Sequence, residues 1–243
     1  MKFKDKIVLI TGGASGMGKE HAKEFVKEGA TVVITDISLE GEKVASELKN
    51  CLFIKQDVAK EADWKNVVKI VNEKFGRLDI LINNAGIVLY KPLGMMTLDE
   101  YMRVVNVNQV SVFLGMSHCL ELLKKGKNAS VINISSIAGL TCSPAGAAYS
   151  SSKFAVRALT EVAAQEWAPF KIRVNTICPG AINTPMLVQP DTKDAVNEFA
   201  KSIPLKRIGN PEELTKAVMF FASSDGSYCT GSTLVVDGGS ILV

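Results

Sequence analysis

Thr11-Gly12-Gly13-Ala14-Ser15-Gly16-Met17-Gly18 is the stretch that decides the fold, because it joins a predicted strand to a predicted helix. The apolar run Ile7-Val8-Leu9-Ile10 precedes it, and a helical pattern follows over residues 16–28. Glycines at such a turn let the backbone approach a pyrophosphate, with the N–H groups of the helix N-terminus facing it. A tight turn without a ligand is the alternative. The context favours a dinucleotide site, and its candidate contacts are Gly12, Ser15, Gly16, Met17 and Gly18.

Apolar β-branched runs alternate with amphipathic stretches along the rest of the chain. Further strands are predicted at residues 31–35, 52–54, 80–82, 130–134, 173–177 and 233–236. Near-continuous apolar strands suit a parallel sheet that helices cover on both faces. The sequence therefore predicts an α/β fold, a Rossmann-like doubly wound parallel sheet of about seven strands. One domain over residues 1–243 is expected, since α/β folds of roughly 200 to 250 residues are often single units.

Two predicted helices begin with capping signals. Thr97-Leu98-Asp99-Glu100 is a capping box, and Asn210-Pro211-Glu212-Glu213 combines an N-cap with a proline at the first helical position. The helix after Thr97 is predicted to run to about Leu123. Its excess apolar surface is compatible with packing on its own core or on a partner subunit. Residues 181–208 contain three prolines, including Pro190, and predict a long excursion with a short helix near 194–200.

Composition excludes several classes of protein. The net charge is only +3, with 28 basic and 25 acidic residues spread along the chain, which argues against nucleic-acid or membrane-surface binding. Five widely spaced cysteines without a CxxC motif indicate neither a disulfide framework nor a zinc knuckle. His21 and His118 are interpreted as surface or partly buried side chains, so no metal site is predicted. No signal peptide or transmembrane segment is predicted, and we expect a cytoplasmic protein.

A carboxylate closes the second predicted strand, at Asp36, eighteen residues after Gly18. It can accept hydrogen bonds from the ribose hydroxyls of an adenosine, and it would repel a 2′-phosphate. Ala14, Ser15 and Ile37 supply no positive charge for such a phosphate. The sequence therefore predicts NAD(H) rather than NADP(H), with Ile37 beside the adenosine. A role as a helix N-cap or turn residue is the alternative for Asp36.

Other candidate cofactor contacts follow the third and fourth strands, where ligands of open α/β sheets bind. They are Asp57 and Val58, with which the third strand is expected to end, and Asn84, Ala85 and Gly86 at the end of the fourth. A purely structural role is also compatible with these positions. For Asn83 we prefer the structural interpretation, in which its amide ties neighbouring strands together.

Tyr149 and Lys153 lie four residues apart in a helix-compatible stretch, so they share one face of a predicted helix. A fixed ammonium near the phenol would favour phenolate and lower the tyrosine pKa from about 10 toward working pH. Such a phenol can exchange protons with an alcohol or a ketone. The alternative is that the lysine simply covers the ring, which is common on helices.

Taken together, the motifs resemble the short-chain dehydrogenase/reductase family over essentially the whole chain. The segments that carry the resemblance are TGxxxGxG at 11–18, NNAG at 83–86, the serine in Ile134-Ser135-Ser136, YxxxK at 149–153, Pro179-Gly180 and Val236-Asp237-Gly238-Gly239. The TGxxxGxG spacing differs from the GxGxxG of other dinucleotide enzymes and points to this family. The resemblance implies an oxidoreductase, commonly a tetramer that uses its two long helices and its C-terminal segment as interfaces. We therefore expect a homotetramer, with residues 241–243 buried against a partner.

The resemblance also implies a catalytic tetrad. Tyr149 would be the acid/base, and Lys153 would lower its pKa and hold the nicotinamide ribose. Ser136 would hydrogen-bond the substrate oxygen, and Asn108 would hold a water through which Lys153 returns protons.

Two of these assignments have neighbouring alternatives. Asn106 competes with Asn108, which is preferred because it precedes Phe113-Leu114-Gly115 at the family's usual distance. Ser135 is the corresponding runner-up for Ser136. A further segment resembles the one that lies beside the nicotinamide, and its implied contacts are Pro179, Gly180, Ile182 and Thr184.

The predicted substrate loops are mainly apolar. Residues 87–90, 137–146 and 181–208 supply Ile87, Leu89, Tyr90, Leu140, Cys142, Pro144, Met186, Leu187 and Val188. Arginine is absent from the first two loops and Arg207 lies late in the third, so no clamp for a carboxylate or phosphate is evident. We therefore expect a neutral secondary alcohol or ketone, alicyclic or steroid-like.

The subgroup that the chain resembles contains bacterial NAD-dependent secondary-alcohol and hydroxysteroid dehydrogenases. A 3-oxoacyl-carrier-protein reductase is the alternative enzyme. Such reductases usually use NADPH, and Asp36 argues against NADPH binding. A cofactor-sensing or structural member of the family is the non-enzymatic alternative.

Overall fold

Seven parallel strands form one sheet in the order β3-β2-β1-β4-β5-β6-β7 in the computed structural model, which describes residues 1–188 and 193–242. The strands are β1 (Ile7–Thr11), β2 (Thr31–Asp36), β3 (Cys51–Lys55), β4 (Ile80–Asn83), β5 (Ser130–Ile134), β6 (Arg173–Pro179) and β7 (Thr233–Val236). The doubly wound α/β fold predicted from the sequence is confirmed. Two residues named above, Pro190 and Val243, lie outside the described residues.

Helices follow most of the strands. They are α1 (Gly16–Lys27), α2 (Glu40–Glu47), α3 (Glu61–Phe75), α4 (Leu98–Val105), α5 (Ser111–Lys124), α6 (Ala147–Trp167), α7 (Lys193–Ser202) and α8 (Pro211–Ala222). The capping box at α4 is present, since Glu100 N–H donates to Thr97 Oγ1 at 3.2 Å and Thr97 N–H donates to Glu100 Oε2 at 2.9 Å. At α8, the backbone N–H of Asn210 donates to Glu213 Oε2 at 2.9 Å. None of the helices within the described ranges is long and apolar enough to cross a membrane.

The sheet separates two apolar cores because successive side chains of a strand point to opposite faces. In β1, Ile7 and Leu9 pack with residues of α3, α5 and α6, whereas Val8 and Ile10 pack with residues of α1, α2 and α8. Both faces of the central strands are therefore buried. This explains why the strands read as continuous apolar runs in the sequence.

The strand order reverses between β1 and β4. The chain builds outward from β1 through β2 to β3, then returns to pair β4 against the other side of β1. Loops at the carboxyl ends of β1 and β4 therefore diverge and leave a crevice, which is the usual ligand position in open α/β sheets.

The predicted long helix after Thr97 has the expected extent but is not a continuous α-helix. A π-helical turn over Asn106–Val110 separates α4 from α5. Such turns insert an extra residue into the helix and are frequent at functional sites. Asn108, one of the predicted site residues, lies in this turn.

Two details of the sequence interpretation are wrong. His21 is fully buried rather than at the surface or partly buried, because it faces α8 and its Nδ1 lies 2.7 Å from Thr215 Oγ1. Asp57 does not end the third strand, since β3 stops at Lys55. Asp57 instead begins the turn into α3, with its backbone N–H donating to Asp63 Oδ2 at 2.8 Å.

Candidate active site

A cleft of about 460 Å³ opens at the carboxyl ends of the strands around β1. Most of the predicted cofactor contacts line it: Gly12, Ser15, Gly16, Met17, Asp36, Ile37, Asp57, Val58, Asn84, Ala85, Gly86 and Thr184. Six other predicted contacts are not among its lining residues: Gly18, Tyr149, Lys153, Pro179, Gly180 and Ile182.

The glycine-rich loop forms one wall of the cleft through conformations that favour glycine. Gly12 has φ +68° and Gly16 has φ +53°, both in the left-handed region. A Cβ atom at Gly18 would lie only 2.1 Å from the carbonyl oxygen of Gly12. Gly18 thus serves the close packing of helix against turn, while α1 begins with its N-terminus at the cleft.

Asn84 fixes this loop against the end of β4. Its Nδ2 donates to the Thr11 carbonyl oxygen at 2.8 Å, and its backbone N–H donates to Thr11 Oγ1 at 3.0 Å. The backbone N–H of Ala85 donates to the same hydroxyl at 3.0 Å. Together with a longer bond from Asn84 Nδ2 to the Gly12 carbonyl oxygen at 3.3 Å, four hydrogen bonds hold the β1 and β4 loops together at the strand-order reversal.

Asp36 places a carboxylate in the cleft at the end of β2. One oxygen accepts a hydrogen bond from the backbone N–H of Ala14 at 3.1 Å, and the other accepts one from Ser38 at 2.9 Å. Each carboxylate oxygen has a further lone pair. The side chain can therefore accept hydrogen bonds from a ligand while the loop holds its position.

Residues that the sequence interpretation missed also line the cleft. Gln56 is 1% exposed, and neither polar atom of its side chain has a hydrogen-bond partner among the described residues. Arg103 and Val107 enter from α4 and the π-helical turn, one helical turn apart. Arg103 brings positive charge to the cleft that holds Asp36.

The cleft has the features that a dinucleotide requires. Its glycine loop offers backbone N–H groups at a helix N-terminus, Asp36 offers acceptors, and the buried amide of Gln56 has unused donors and an acceptor. A side chain at Gly86 would fill the space beside Asn108 and Lys153. The residues present thus fit a nicotinamide dinucleotide.

Tyr149 and Ser136 face each other beside this cleft. Tyr149 lies in the first turns of α6, and Ser136 follows β5, where its Oγ accepts a hydrogen bond from the backbone N–H of Ala138 at 3.1 Å. The Ser136 hydroxyl lies close enough to the Tyr149 phenol to lower the pKa of that phenol. Ser135 points elsewhere, since its Oγ donates to the carbonyl oxygen of Lys153 at 2.8 Å.

The protonation of Tyr149 differs from the sequence expectation. Burial raises the pKa of the phenol above its ordinary value, and the interaction with Ser136 only partly opposes that rise. Lys153 is not among the causes of the shift, although its Nζ lies 5.7 Å from the centroid of the Tyr149 ring. The expectation that the lysine lowers the phenol pKa toward neutrality is therefore wrong, because the desolvation of the phenol raises its pKa instead.

Lys153 is buried, and its Nζ donates to the Ile134 carbonyl oxygen at 3.0 Å. Burial lowers the pKa of this ammonium from 10.5 to about 8. A Cβ placed on Gly86 would lie 3.4 Å from Lys153 Nζ and 3.3 Å from Asn108 Oδ1. Both groups thus border one small space at the edge of the cleft.

Asn108 is fully buried and held by the loop after β4. Its Oδ1 accepts from the backbone N–H of Ile87 at 2.8 Å, and its Nδ2 donates to the Ile87 carbonyl oxygen at 2.9 Å. The same nitrogen donates to Ser152 Oγ at 3.2 Å. Asn106 is only partly buried and lines a neighbouring cleft with Arg103.

Asn83 has the structural position that we preferred for it. It is 3% exposed, and its Nδ2 donates to Asn133 Oδ1 at 2.8 Å, which links β4 to β5. Asn133 continues the network by donating to Thr160 Oγ1 on α6 at 2.9 Å. The prediction that the Asn83 amide ties neighbouring strands is confirmed.

The segment after β6 runs along the far side of the cleft. Pro179 ends the strand, and Gly180 packs so closely on Asp237 that a Cβ would lie 2.7 Å from that residue's Cα. Ile182 is 6% exposed and pairs with Gly209 in an isolated parallel bridge. Only Thr184 of the four predicted contacts in this segment reaches the lining of the cleft.

The first of the loops named for substrate contact lies beside Tyr149 and is joined to the second, since the Lys91 backbone N–H donates to the Ala145 carbonyl oxygen at 2.8 Å. The ring of Tyr90 lies 6.2 Å from that of Tyr149, centroid to centroid. The arginine of the third loop is paired, because the two terminal nitrogens of Arg207 each donate to the Glu213 carboxylate at 2.7 Å.

Comparisons with known proteins agree with this arrangement. A family model described as "Enoyl-(Acyl carrier protein) reductase" matches residues 12–240. Cyclopentanol dehydrogenase of Comamonas sp. (strain NCIMB 9872) is 40% identical over 244 residues, with 98% of each chain covered. A 3-alpha-(or 20-beta)-hydroxysteroid dehydrogenase of Mycobacterium bovis is 41% identical over 238 residues, covering 97% of this chain and 89% of that protein. The crystal structure of levodione reductase superposes with a TM-score of 0.92 at 34% identity, covering 99% of both chains.

Proposed function

Because this chain belongs to the short-chain dehydrogenase/reductase family and is an oxidoreductase of alcohols and ketones, we propose that it transfers a hydride between NAD(H) and a neutral secondary alcohol or ketone. Tyr149 is the general acid/base of this proposal. The observation that carries it is the meeting of Tyr149, Ser136, Lys153 and Asn108 at the edge of the cleft that the glycine loop and Asp36 line.

NAD(H) is the proposed cofactor, and dehydrogenases of this fold typically use nicotinamide cofactors. When bound, the nicotinamide supplies or accepts the hydride at a ring carbon. The glycine loop would hold the pyrophosphate, Asp36 the adenosine ribose, and Thr184 the nicotinamide end. The buried side-chain amide of Gln56 would form hydrogen bonds with the adenosine half of the cofactor.

The preference for NAD(H) over NADP(H) rests on the Asp36 carboxylate, which would repel a 2′-phosphate. Arg103 acts in the opposite direction, since it lines the same cleft. We propose that Asp36 has the larger effect on the choice of cofactor. Backbone hydrogen bonds from Ala14 and Ser38 fix its carboxylate, whereas Arg103 is an exposed side chain.

Proton transfer is assigned to Tyr149. In reduction, the phenol gives its proton to the ketone oxygen as the carbonyl carbon gains the hydride, and Ser136 donates a hydrogen bond to the same oxygen. A phenol whose pKa is raised by burial is protonated at neutral pH, which suits this direction. In oxidation the phenol must first lose its proton, so the rate in that direction is expected to rise with pH.

Lys153 and Asn108 would return protons to Tyr149. The ammonium is anchored on the Ile134 carbonyl oxygen, and both side chains border the space at Gly86. A pKa of about 8 lets Lys153 exchange a proton near working pH. Asn108 is already saturated at Nδ2 by Ile87 and Ser152, so its oxygen is the atom that would hold a relay water.

A neutral substrate is supported by the side chains around Tyr149. The substrate loops are mainly apolar, and Arg207 is engaged by Glu213. Relatives whose names specify cyclopentanol and hydroxysteroid substrates favour an alicyclic or steroid-like ring. Reduction of the 3-oxo group of an acyl thioester on a carrier protein is the second candidate, and it shares only the acyl-carrier-protein substrate with the description of the matching family model.

A steady-state screen tests this function. Purified protein is assayed with NADH and with NADPH against cyclic ketones, diketones, steroidal ketones and an acetoacetyl thioester. The proposal expects the highest kcat/KM with NADH and a cyclic or steroidal ketone. A higher kcat/KM with NADPH would overturn the cofactor assignment, and a preference for the acetoacetyl thioester would favour the carrier-protein reductase.

We further propose one domain over residues 1–243, a homotetramer and a cytoplasmic location. Exposed apolar side chains on α5 and α6, namely Phe113, Phe154 and Val162, support contacts between subunits. All five cysteines are free, which fits a reducing compartment. A monomer by light scattering at micromolar concentration would contradict the tetramer.

A further inference from the structure

Tyr90 lies beside the proposed acid/base with much of its ring uncovered. Its centroid is 6.2 Å from that of Tyr149 with the planes tilted by 53°, yet the residue is 58% exposed. Residues 87–90 and 137–146 contain no other aromatic residue. An aromatic ring therefore presents free apolar surface next to the phenol that would protonate a ketone.

The chain is anchored at Lys91, the residue that follows Tyr90. The backbone N–H of Lys91 donates to the Ala145 carbonyl oxygen at 2.8 Å, which ties the loop after β4 to the loop before α6. Lys91 Nζ also lies 2.7 and 2.8 Å from the two Glu100 carboxylate oxygens. Glu100 is itself held in the capping box of α4.

This double anchor fixes the backbone next to Tyr90, and the contact with the Tyr149 ring places the Tyr90 ring. Preorganised contact surface costs less entropy on binding than a loop that must order first. A rigid ring packs on such a surface without losing rotors of its own, whereas an open-chain ketone must freeze several. The arrangement thus favours cyclic over acyclic carbonyl compounds of equal carbon number.

We propose that Tyr90 is a specificity-determining residue whose ring forms one wall of the substrate site and selects alicyclic ketones and alcohols. This inference rests on the proposed function and deepens it. The ring face is the feature that matters, and the Tyr90 hydroxyl contributes little. Because the wall contacts substrate before and during the reaction, its loss raises KM more than it lowers kcat.

The test compares cyclohexanone with 2-hexanone in wild type, Tyr90→Ala and the matched control Tyr90→Phe. For Tyr90→Ala we expect kcat/KM for cyclohexanone to fall about tenfold, mainly through KM, and that for 2-hexanone to fall less than about threefold. Tyr90→Phe is expected to keep the wild-type ratio of the two. Fluorescence titration should give an unchanged Kd for NADH in both variants, and thermal unfolding checks that each is folded.

An equal loss on both ketones, or an unchanged ratio in Tyr90→Ala, would overturn the inference while leaving the proposed function intact. A loss of the cyclic preference in Tyr90→Phe would also overturn it, because it would assign the effect to the hydroxyl. Failure of the wild type to reduce any ketone of the broader screen would refute the proposed function and this inference together.

Discussion

The amine of Lys153 is buried, and burial lowers its pKa to about 8. The folded protein therefore loses stability whenever this amine is protonated. An ordinary lysine holds its proton more strongly, so the unfolded chain is protonated between about pH 8 and 10.5 where the folded protein is not. The free-energy penalty for burying the protonated amine is fully present below pH 8. It decreases as the pH rises from about 8 to 10.5. The stability that the folded protein forgoes at neutral pH is about 3 kcal/mol.

Lys153→Met is therefore expected to raise the free energy of unfolding at pH 7 while abolishing turnover. Methionine fills a similar volume without a charge, so we expect a gain of about 1 to 3 kcal/mol after loss of the hydrogen bond to Ile134. NADH binding should also weaken, because the ammonium is proposed to hold the nicotinamide ribose. Urea unfolding and fluorescence titration measure the two effects.

The exposed Lys125 is the matched control. Lys125→Met should change the free energy of unfolding by less than about 0.5 kcal/mol and leave turnover intact. A Lys153→Met protein that is less stable than wild type at pH 7 would contradict this expectation. It would show that interactions of the ammonium within the folded protein outweigh the free-energy cost of burying its charge.

At the residue scale, the sequence predicts which side chains meet better than it predicts their chemistry. The four-residue spacing of Tyr149 and Lys153 on a helix follows from helical periodicity alone. The direction of the Tyr149 pKa shift does not, because desolvation depends on how Tyr90 and other distant segments close over the ring. Gln56 and Arg103 were missed for the same reason, since their position in the cleft depends on tertiary packing.

At the element scale, α1 and α8 pack through a buried histidine. His21 Nδ1 meets Thr215 Oγ1, while Nε2 has no partner in the described part of the chain. Burial lowers the pKa of the imidazole from 6.5 to about 3. Between about pH 6.5 and 3, the imidazole is therefore protonated in the unfolded chain but not in the folded protein. The free energy of unfolding decreases as the pH falls through this range.

His21→Gln should remove this part of the acid sensitivity. We expect the variant to be less stable than wild type at pH 8, because the glutamine packs less well between the helices. Between pH 6 and 4 the wild type should lose about 1.4 kcal/mol more per pH unit than the variant. Urea unfolding at several pH values measures the difference, and parallel pH profiles would contradict the assignment to His21.

For the helix between Thr97 and Lys124, the sequence predicted the two ends but not an irregular turn inside it. Its start followed from the capping box and its length from the apolar pattern, and both agree with the structure. The π-helical turn at Asn106–Val110 was not predicted. Asn108 in that turn bonds to the Ile87 backbone, twenty-one residues away, and sequence patterns do not encode such long-range contacts.

At the scale of the whole molecule, the seven strands were predictable because each is an apolar run covered on both faces. Their order places β1 beside β4 and opens the cleft at the reversal, which brings Asp36, Asn84 and the glycine loop together. The substrate is less well specified by the sequence. The proposed site draws on loops that are distant in the sequence, and the hydrogen bond next to Tyr90 joins residues 91 and 145.

The central claim is that Tyr149 is the proton donor and acceptor of an NAD(H)-dependent reaction, and Tyr149→Phe tests it most directly. NADH oxidation with the best ketone of the screen is measured in parallel with a fluorescence titration of NADH. Phenylalanine keeps the ring beside Tyr90 and Ser136 but removes the transferable proton, so turnover should be lost while the Kd for NADH stays within about threefold of wild type. Turnover retained in Tyr149→Phe would contradict the account.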